Sequence, residues 1–347
     1  MSLIACSIDE AFATRNTALA AFFERHERPL PERWGASVGL FDDAGGPVAV
    51  ALGVEARGLL VVERWLGPDA AAEQLGAELQ HRAALASLAG VRLEGDRPLP
   101  GFSDRAAPAA RLERVVAIHQ PNYLPWCGYF AKVKASNVFI LLDDVPMPGG
   151  SSYVNRTRVA GNAEPQWLSI PTRHSLDEPL SLARIADNSF GRKHVGTLRA
   201  RYGRTPHFKP LIARLEPLFA AGAERLADFN ASLLRSLFEL LQLPAAVTRS
   251  QHLPTSTTSG DRLVELVKRV GGTRYLSGKG GQNYQSEAAF TAAGIALDVR
   301  PHQPVPYPQG AGAFEPGLSV IDPLSWVGPS ETSALLTLPP SSTLHAP

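Results

Sequence analysis

The sequence predicts an α/β fold: a mostly parallel, Rossmann-like sheet with crossover helices, preceded by a small α+β N-terminal domain. Three observations carry this. From Arg114 onward, short apolar β-runs alternate with helical stretches, the pattern of a parallel sheet. Before residue 94, three short apolar runs stand close together with only turn compositions between them, the pattern of an antiparallel meander. Between the two regions, "EGDRPLPGFSDRAAPAARLE" (94–113) lacks periodicity and is rich in Pro, Arg and Ala, so it reads as a linker. At 347 residues, two domains are the natural expectation. The division is 1–93 for the first domain, 94–113 for the linker, 114–336 for the α/β domain and 337–347 for a disordered tail. The first domain is expected to fold separately and to be dispensable for the chemistry.

The elements follow in order. "SIDE", Ser7 to Glu10, has capping-box spacing and predicts a helix from there toward His26. "SVGLF", "PVAVAL" and "LLVVERW" are the meander strands, split by "DDAGG" and "GVEARG". Asp69 then caps the Ala/Leu-rich helix "AAAEQLGAELQHRAALASLA". In the second domain the β-runs are "VVAIH", "NVFILLDD", "QWLSIP", "TRYLSG" and "IALDVR", with room for "QWLSIP" to run antiparallel. Helices are read at "CGYFAKVKAS", "KHVGTLRARYG", "PLIARLEPLFAAG", "ADFNASLLRSLFELLQL" and "GDRLVELVKRVGG".

Composition narrows the function. Hydrophobic residues make up 44% and charged residues 19%, and the formal net charge is +1 with no basic block. Nucleic acid and anionic membrane surfaces are therefore poor partners. Two cysteines, Cys6 and Cys127, argue against a disulfide framework or a Cys-rich zinc site. The opening "MSLIACSIDEAF" is too short and too acidic for a secretory signal, and no apolar run is long enough to span a bilayer. A cytoplasmic location is expected; the oligomeric state is left open.

In "VVAIHQPNYLPWCGYF" (115–130) an apolar run with the composition of a buried strand ends abruptly on His-Gln-Pro-Asn. If "VVAIH" and "NVFILLDD" are neighbouring parallel strands, their C-terminal ends present His119, Asp143 and Asp144 on one rim, where ligands of open α/β sheets bind. These three are the candidate catalytic groups, with His119 as base and the carboxylates holding substrate hydroxyls or a water-assisted Mg²⁺. No metal-ligand pattern marks a resident metal. Taken singly, an Asp pair is more often a turn and a strand-end His an inert one. Gln120, Asn122 and Tyr123 follow on the stiff turn set by Pro121 and Pro125. Trp126, Tyr129 and Phe130 have the spacing of a core-facing helix stripe. "YVNRTR" offers Asn155 and Arg156, and "SGKGGQNY" offers Ser277, Lys279 and Tyr284 for an anion, although it does not match the P-loop spacing. Cys127 reads as apolar filler more readily than as a nucleophile. A second "HQP" at His302 follows the last β-run.

These blocks resemble the WbqC-like proteins, a family named for a member encoded among O-antigen genes. "VVAIHQPNYLPWCGYFAKVKASNVFILLDDV", "YLSGKGGQNYQSEAAFTAAGIALDV", "PYPQ" and "FEPGLSVIDPLSWVGPS" carry the resemblance over about residues 114–333. The resemblance implies motif roles for His119, Gln120, Asn122, Asp143, Asp144, Asn155, Arg156, Tyr275, Ser277, Gly278, Tyr284, Gln309 and Asp322. It places Cys127 where relatives usually carry an apolar residue, and "DPLSWVG" departs from the family run at Trp326. It also implies a setting in the biosynthesis of surface polysaccharides or secondary metabolites. The reading that combines these expectations is a transferase acting on a nucleotide-linked sugar or an activated acyl group. A binding module for a glycan intermediate or carrier protein is the alternative, distinguished by an open aromatic groove in place of a buried, preorganised rim. A hydrolase using Cys127 and His119 ranks last, since no third orienting residue is evident.

Overall fold

The computed structural model describes residues 3–26, 28, 30–31, 34–56, 59–85, 91–93, 113–149, 152–162, 164–280, 286–310 and 312–341. The expected linker apart from Glu113, together with Tyr284 and residues 342–347, lies outside the described residues. Thr337–Ser341 are described, and Leu338 packs against the core.

The first strand, β1 (Ile4–Ile8), is short and alternates: Ile4, Cys6 and Ile8 are buried while Ala5 and Ser7 are half-buried. This corrects the expected helix start at Ser7. The cap is Asp9, whose carboxylate accepts the Phe12 N–H at 2.7 Å at the head of α1 (Glu10–Arg15). Asn16 then ends α1 and caps α2 (Thr17–Arg25). The meander forms as expected: β2 (Ser37–Phe41), β3 (Pro47–Ala56) and β4 (Leu59–Leu66). α3 (Ala72–Leu85) follows a single 3₁₀ turn that holds Asp69, and β5 (Val91–Leu93) closes the sheet in the order β1-β2-β3-β4-β5. One face of this sheet packs on α3 through Val38, Leu40, Ala49 and Ala51.

The second sheet is formed by β6 (Val115–His119), β7 (Val138–Leu141), β12 (Ala246–Arg249), β13 (Arg274–Ser277) and β14 (Ala296–Val299). α4 (Cys127–Lys134) joins β6 to β7. Between β7 and β12 lie the ribbons β8 (Arg156–Val159) with β9 (Gln166–Ser169) and β10 (Thr172–Arg173) with β11 (Arg184–Ile185), then α5 (Phe190–Tyr202), α6 (Phe208–Ala221) and α7 (Leu226–Leu240). α8 (Ser259–Arg269) precedes β13, and α9 (Glu287–Ala292) precedes β14. α10 (Ile321–Trp326) and α11 (Gly328–Leu335) complete the described fold. All pairings in this sheet are parallel, in the order β12-β7-β6-β13-β14. Counted along the chain, that order is 3-2-1-4-5, so the direction of winding reverses between β6 and β13. "QWLSIP" does not join this sheet; β9 pairs antiparallel with β8 instead, burying only Leu168 of its alternating face. β12 was not read from the sequence because it is a short, half-polar edge strand, AVTR.

The two faces of the parallel sheet bury different partners. Ala117, Phe139, Leu141 and Leu276 join a cluster with α4, α5, α6, α7 and α10. Val116, Ile118, Val138, Ile140 and Tyr275 join one with α8 and α9, which also takes in Ile4, Cys6, Ile8, Phe12, Phe22 and Phe41. The N-terminal residues thus share a core with the parallel sheet. Polar contacts tighten the same seam: Glu78 of α3 pairs with Arg114 at 2.7 Å, and His81 Nε2 meets the Gly271 carbonyl at 2.8 Å. Among the described residues, no helix is long and apolar enough to cross a membrane.

Candidate functional site

The turn from β6 into α4 is held from all sides. Leu124 has φ 39°, a left-handed conformation that costs a branched residue of order 1 kcal/mol or more. Its carbonyl accepts hydroxyls from Thr157 at 2.8 Å and Ser319 at 2.7 Å. Asn230 of α7 donates to the carbonyls of Pro121 (2.8 Å) and Val154 (2.7 Å), and the Tyr123 N–H reaches the Tyr153 carbonyl at 3.0 Å. The Val320 N–H reaches the Pro125 carbonyl at 2.8 Å. Strain persists in a turn when the surroundings over-determine it, and such turns concentrate at functional sites.

His119 sits at the head of that turn, half-buried, opposite Leu141 of β7. Its ring lies 4.8 Å from Tyr129 and 6.1 Å from Trp126, both near edge-to-face. Nδ1 is 3.2 Å from the Gln120 carbonyl, and a carbonyl only accepts, so Nδ1 carries the proton. Nε2 is left as the free lone pair, with no hydrogen-bond partner among the described residues. Burial, then the nearby Lys132 charge, holds the imidazole well below its usual pKa, so it is neutral at physiological pH. Lys132 itself is 8% exposed and has no carboxylate partner among the described residues. Burial alone brings its pKa down to about 7.

From His119 an aromatic wall leads outward. Trp126 lies 5.0 Å from Tyr153, Tyr153 lies 5.5 Å from Trp167, and the Arg156 guanidinium stacks 4.4 Å over the half-exposed Trp167 indole. Gly128 lets this wall close: a Cβ there would stand 2.6 Å from Trp126 Nε1 and 2.8 Å from the His302 ring. His302, carried by the segment after β14, is therefore on the same rim as the β6 turn. Trp126, Cys127, His302, Val305, Tyr307, Phe314 and Leu318 line an open pocket.

The carboxylates at the end of β7 belong to a different network. Asp143 is fully buried, pairs with Arg249, and accepts from Ser250 Oγ at 3.2 Å and the Gln251 N–H at 3.1 Å. Arg249 also pairs with Asp228 of α7 at 2.5 Å. Asp144 pairs with Arg262 of α8 and accepts from Ser250 Oγ. Among the described residues no hydrogen bond joins His119 to either carboxylate. Two guanidiniums flanking the pair also make it a poor fit for Mg²⁺, because the lone pairs a cation would need are taken and the local charge opposes it. Among the described residues no group of three or more His, Cys, Asp or Glu side chains could hold a metal.

The remaining expected site residues divide between rim and scaffold. Tyr123 is fully buried, with its hydroxyl 2.8 Å from His194 Nδ1 and its ring stacked on Phe229. Asn122 is buried at 3% exposure. Asn155 closes the β8–β9 ribbon through its contacts with Ile170. Gln309 donates to Tyr307 Oη, the Glu315 carbonyl and Asp322 (2.8, 3.2 and 3.0 Å). Asp322 also accepts from Tyr202 at 3.0 Å and Tyr307 at 2.8 Å, yet burial outweighs these donors and raises its pKa. Ser277 is buried at the end of β13, and Lys279, two residues on, is exposed. Burial, then the Asp322 charge, pushes the Cys127 thiol up to about 12, which keeps it protonated and unreactive at neutral pH.

A family model described as "WbqC-like protein family" matches residues 120–334. The chain belongs to the WbqC-like protein family. The match opens at Gln120, inside the strained turn and one residue after His119, and runs into α11, so it covers the candidate rim apart from His119 itself. The chain is also similar to "Uncharacterized protein Rv1507c" of Mycobacterium tuberculosis, 26% identical over 217 residues, which cover 61% of this chain and 94% of that protein. No solved structure matches the chain.

In this WbqC-like chain, sequence reasoning missed Lys132, the arginine partners Arg249 and Arg262, and the wall formed by Tyr153 and Trp167. A signal existed for Lys132. It follows Gly128 by four residues and Tyr129 by three, which puts it on their inward face of α4. No such signal existed for the arginines, which lie 106 and 118 residues from their carboxylates.

Proposed function

We propose that this WbqC-like chain is a cytoplasmic transferase acting on an activated small molecule, a nucleotide-linked sugar or an activated acyl group, in surface polysaccharide or secondary-metabolite biosynthesis. The observation that carries the reading is His119: a neutral imidazole in one tautomer, its Nε2 free among the described residues, on a strained turn. That turn stands where a parallel sheet reverses its winding, and ligands of open α/β sheets enter at such points. The 3-2-1-4-5 order matches the first five strands of a Rossmann-type sheet, which favours a nucleotide-bearing donor. In this reading His119 Nε2 accepts the proton of the attacking hydroxyl. Asp144, at 25% side-chain exposure, is the carboxylate that can still meet a substrate hydroxyl, and Arg156 and Lys279 approach phosphate from the outer rim. Gln120 and the Trp126 face orient the substrate.

The aromatic wall ending at Trp167 supports a second reading, a glycan or carrier-protein binding module. Native mass spectrometry of the full chain against nucleotide-sugars and acyl thioesters would identify the donor. With it in hand, His119→Ala and Asp144→Asn should each lower turnover by about a hundredfold while the fold is kept. Near-normal turnover in both would remove the two residues from the chemistry; donor binding by the parent chain with no detectable turnover would favour the binding module.

A further inference from the structure

Lys132 stands out among the buried polar groups. Other buried charges of the chain have partners: Asp143 has Arg249, Glu78 has Arg82 and Arg114, and Asp298 has Arg300. Lys132 is more than nine-tenths buried and has none among the described residues. Its Nζ is nonetheless not among the sealed polar atoms, so the tip keeps a route outward. The titratable group its charge acts on is His119 of β6, Tyr129 stands three residues before it on its own helix, and among the described residues no carboxylate charge acts on it. We propose that Lys132 anchors an anionic oxyacid group of the substrate, a phosphate or a carboxylate, beside His119. An unpaired buried amine is unfavourable in the empty protein, and an arriving anion supplies the missing counter-charge. The amine takes one proton from solvent as the anion seats, and the pair then forms a charge-assisted hydrogen bond. This rests on the group-transfer reading and deepens it, since activated donors carry such groups.

The test is calorimetric titration of the full chain at about pH 8 with inorganic pyrophosphate and, separately, succinate, in two buffers of unequal ionisation enthalpy. One of the two anions should bind with close to one proton taken up, and which one it is distinguishes phosphate from carboxylate. Lys132→Arg, charged at every relevant pH, should bind without the uptake. Lys132→Met should weaken binding by about tenfold or more. Binding without proton uptake, uptake that survives in Lys132→Arg, affinity unchanged in Lys132→Met, or no binding of either anion at millimolar concentration would each overturn the proposal. If Lys132→Met does not fold, the Lys132→Arg measurement decides. None of these failures touches the His119→Ala turnover test, so the two readings fall separately.

Discussion

At the end of β7, Asp143 and Asp144 each meet an arginine; one strand away, His119 at the end of β6 and Lys132 in the last turn of α4 meet no counter-charge among the described residues. Both places would look functional from residue type alone. The difference lies in what the buried charge is spent on. Asp143, sealed by Arg249 and Ser250, ties β12 to α7, while Asp144 pairs with Arg262 of α8 yet keeps a quarter of its side chain exposed. An imidazole and an amine left open cost stability and are available for a ligand. Substitutions should separate the two ends cleanly.

The largest effect is expected at Asp143. Asp143→Ala leaves Arg249 buried at 13% side-chain exposure with only Asp228 for company. Removing one member of a buried pair costs about 3–5 kcal/mol, measurable by urea unfolding. Asp144→Asn, in a pair with 15% and 25% exposure, should cost about 1 kcal/mol. Equal costs at the two positions would break the distinction between sealed and open carboxylates.

Lys132 should behave in the opposite sense. Its ordinary pKa is 10.5 and burial brings it to about 7 in the fold, so between those values the unfolded chain binds a proton that the folded chain does not. Stability therefore rises with pH across that window, by up to about 1.4 kcal/mol per pH unit from this group. Lys132→Met should be more stable than the parent near pH 7, and the gap should shrink by about 3 kcal/mol toward pH 9.5. A gap that does not depend on pH would mean that Lys132 is not a desolvated amine.

The shared apolar cluster sharpens a different contrast, between the two halves of the chain. Residues 112–347 expressed alone would uncover Val116, Ile118, Val138 and Ile140 where Phe12, Phe22 and Phe41 now pack with them. The fragment should bind hydrophobic dye and lose part of its cooperativity. A soluble, cooperatively unfolding fragment would show that the halves fold independently, as the composition of 94–113 suggests.

Much of the frame was legible because it is written in local pattern. The apolar run ending at His119 marks β6, and β7 follows after one helix, so their adjacency needed no more than crossover geometry. The helix stripe at Tyr129 and Phe130 was likewise readable, and both are fully buried. What the carboxylates do was not readable. Their partners come from β12 and α8, over a hundred residues on, and no periodicity links them. Tyr123 and Gln309 carry the same lesson: polar tips that suggest a ligand are spent on His194 and on Asp322. Lys132 and Lys134 look alike in "AKVK", yet one is buried and the other reaches the Ser333 carbonyl at 2.6 Å. Register on the helix separates them, and only the packed structure says that the buried one has no partner among the described residues.

The smallest effect is expected at Cys127, and it is informative for that reason. The thiol lies within the same rim, on the wall of the pocket that also holds His302 and Tyr307. If reactivity followed position alone, it would be as good a candidate as His119. Its environment says otherwise: burial and the neighbouring Asp322 carboxylate push the thiol up to about 12, so no thiolate is present at neutral pH. Lys132 is shifted toward its reactive neutral form by the same desolvation that shifts Cys127 away from its reactive anion. Burial disfavours charge in both, and the sign of the proton decides which becomes available. Cys127→Ala should therefore change stability by about 1 kcal/mol or less and leave anion binding and turnover within a small factor. Iodoacetamide labelling of the folded chain should be slow at neutral pH and should accelerate when the chain is unfolded. Rapid labelling in the folded state, or a collapse of turnover in a well-folded Cys127→Ala, would return the thiol to the site and remove the distinction drawn between it and Lys132.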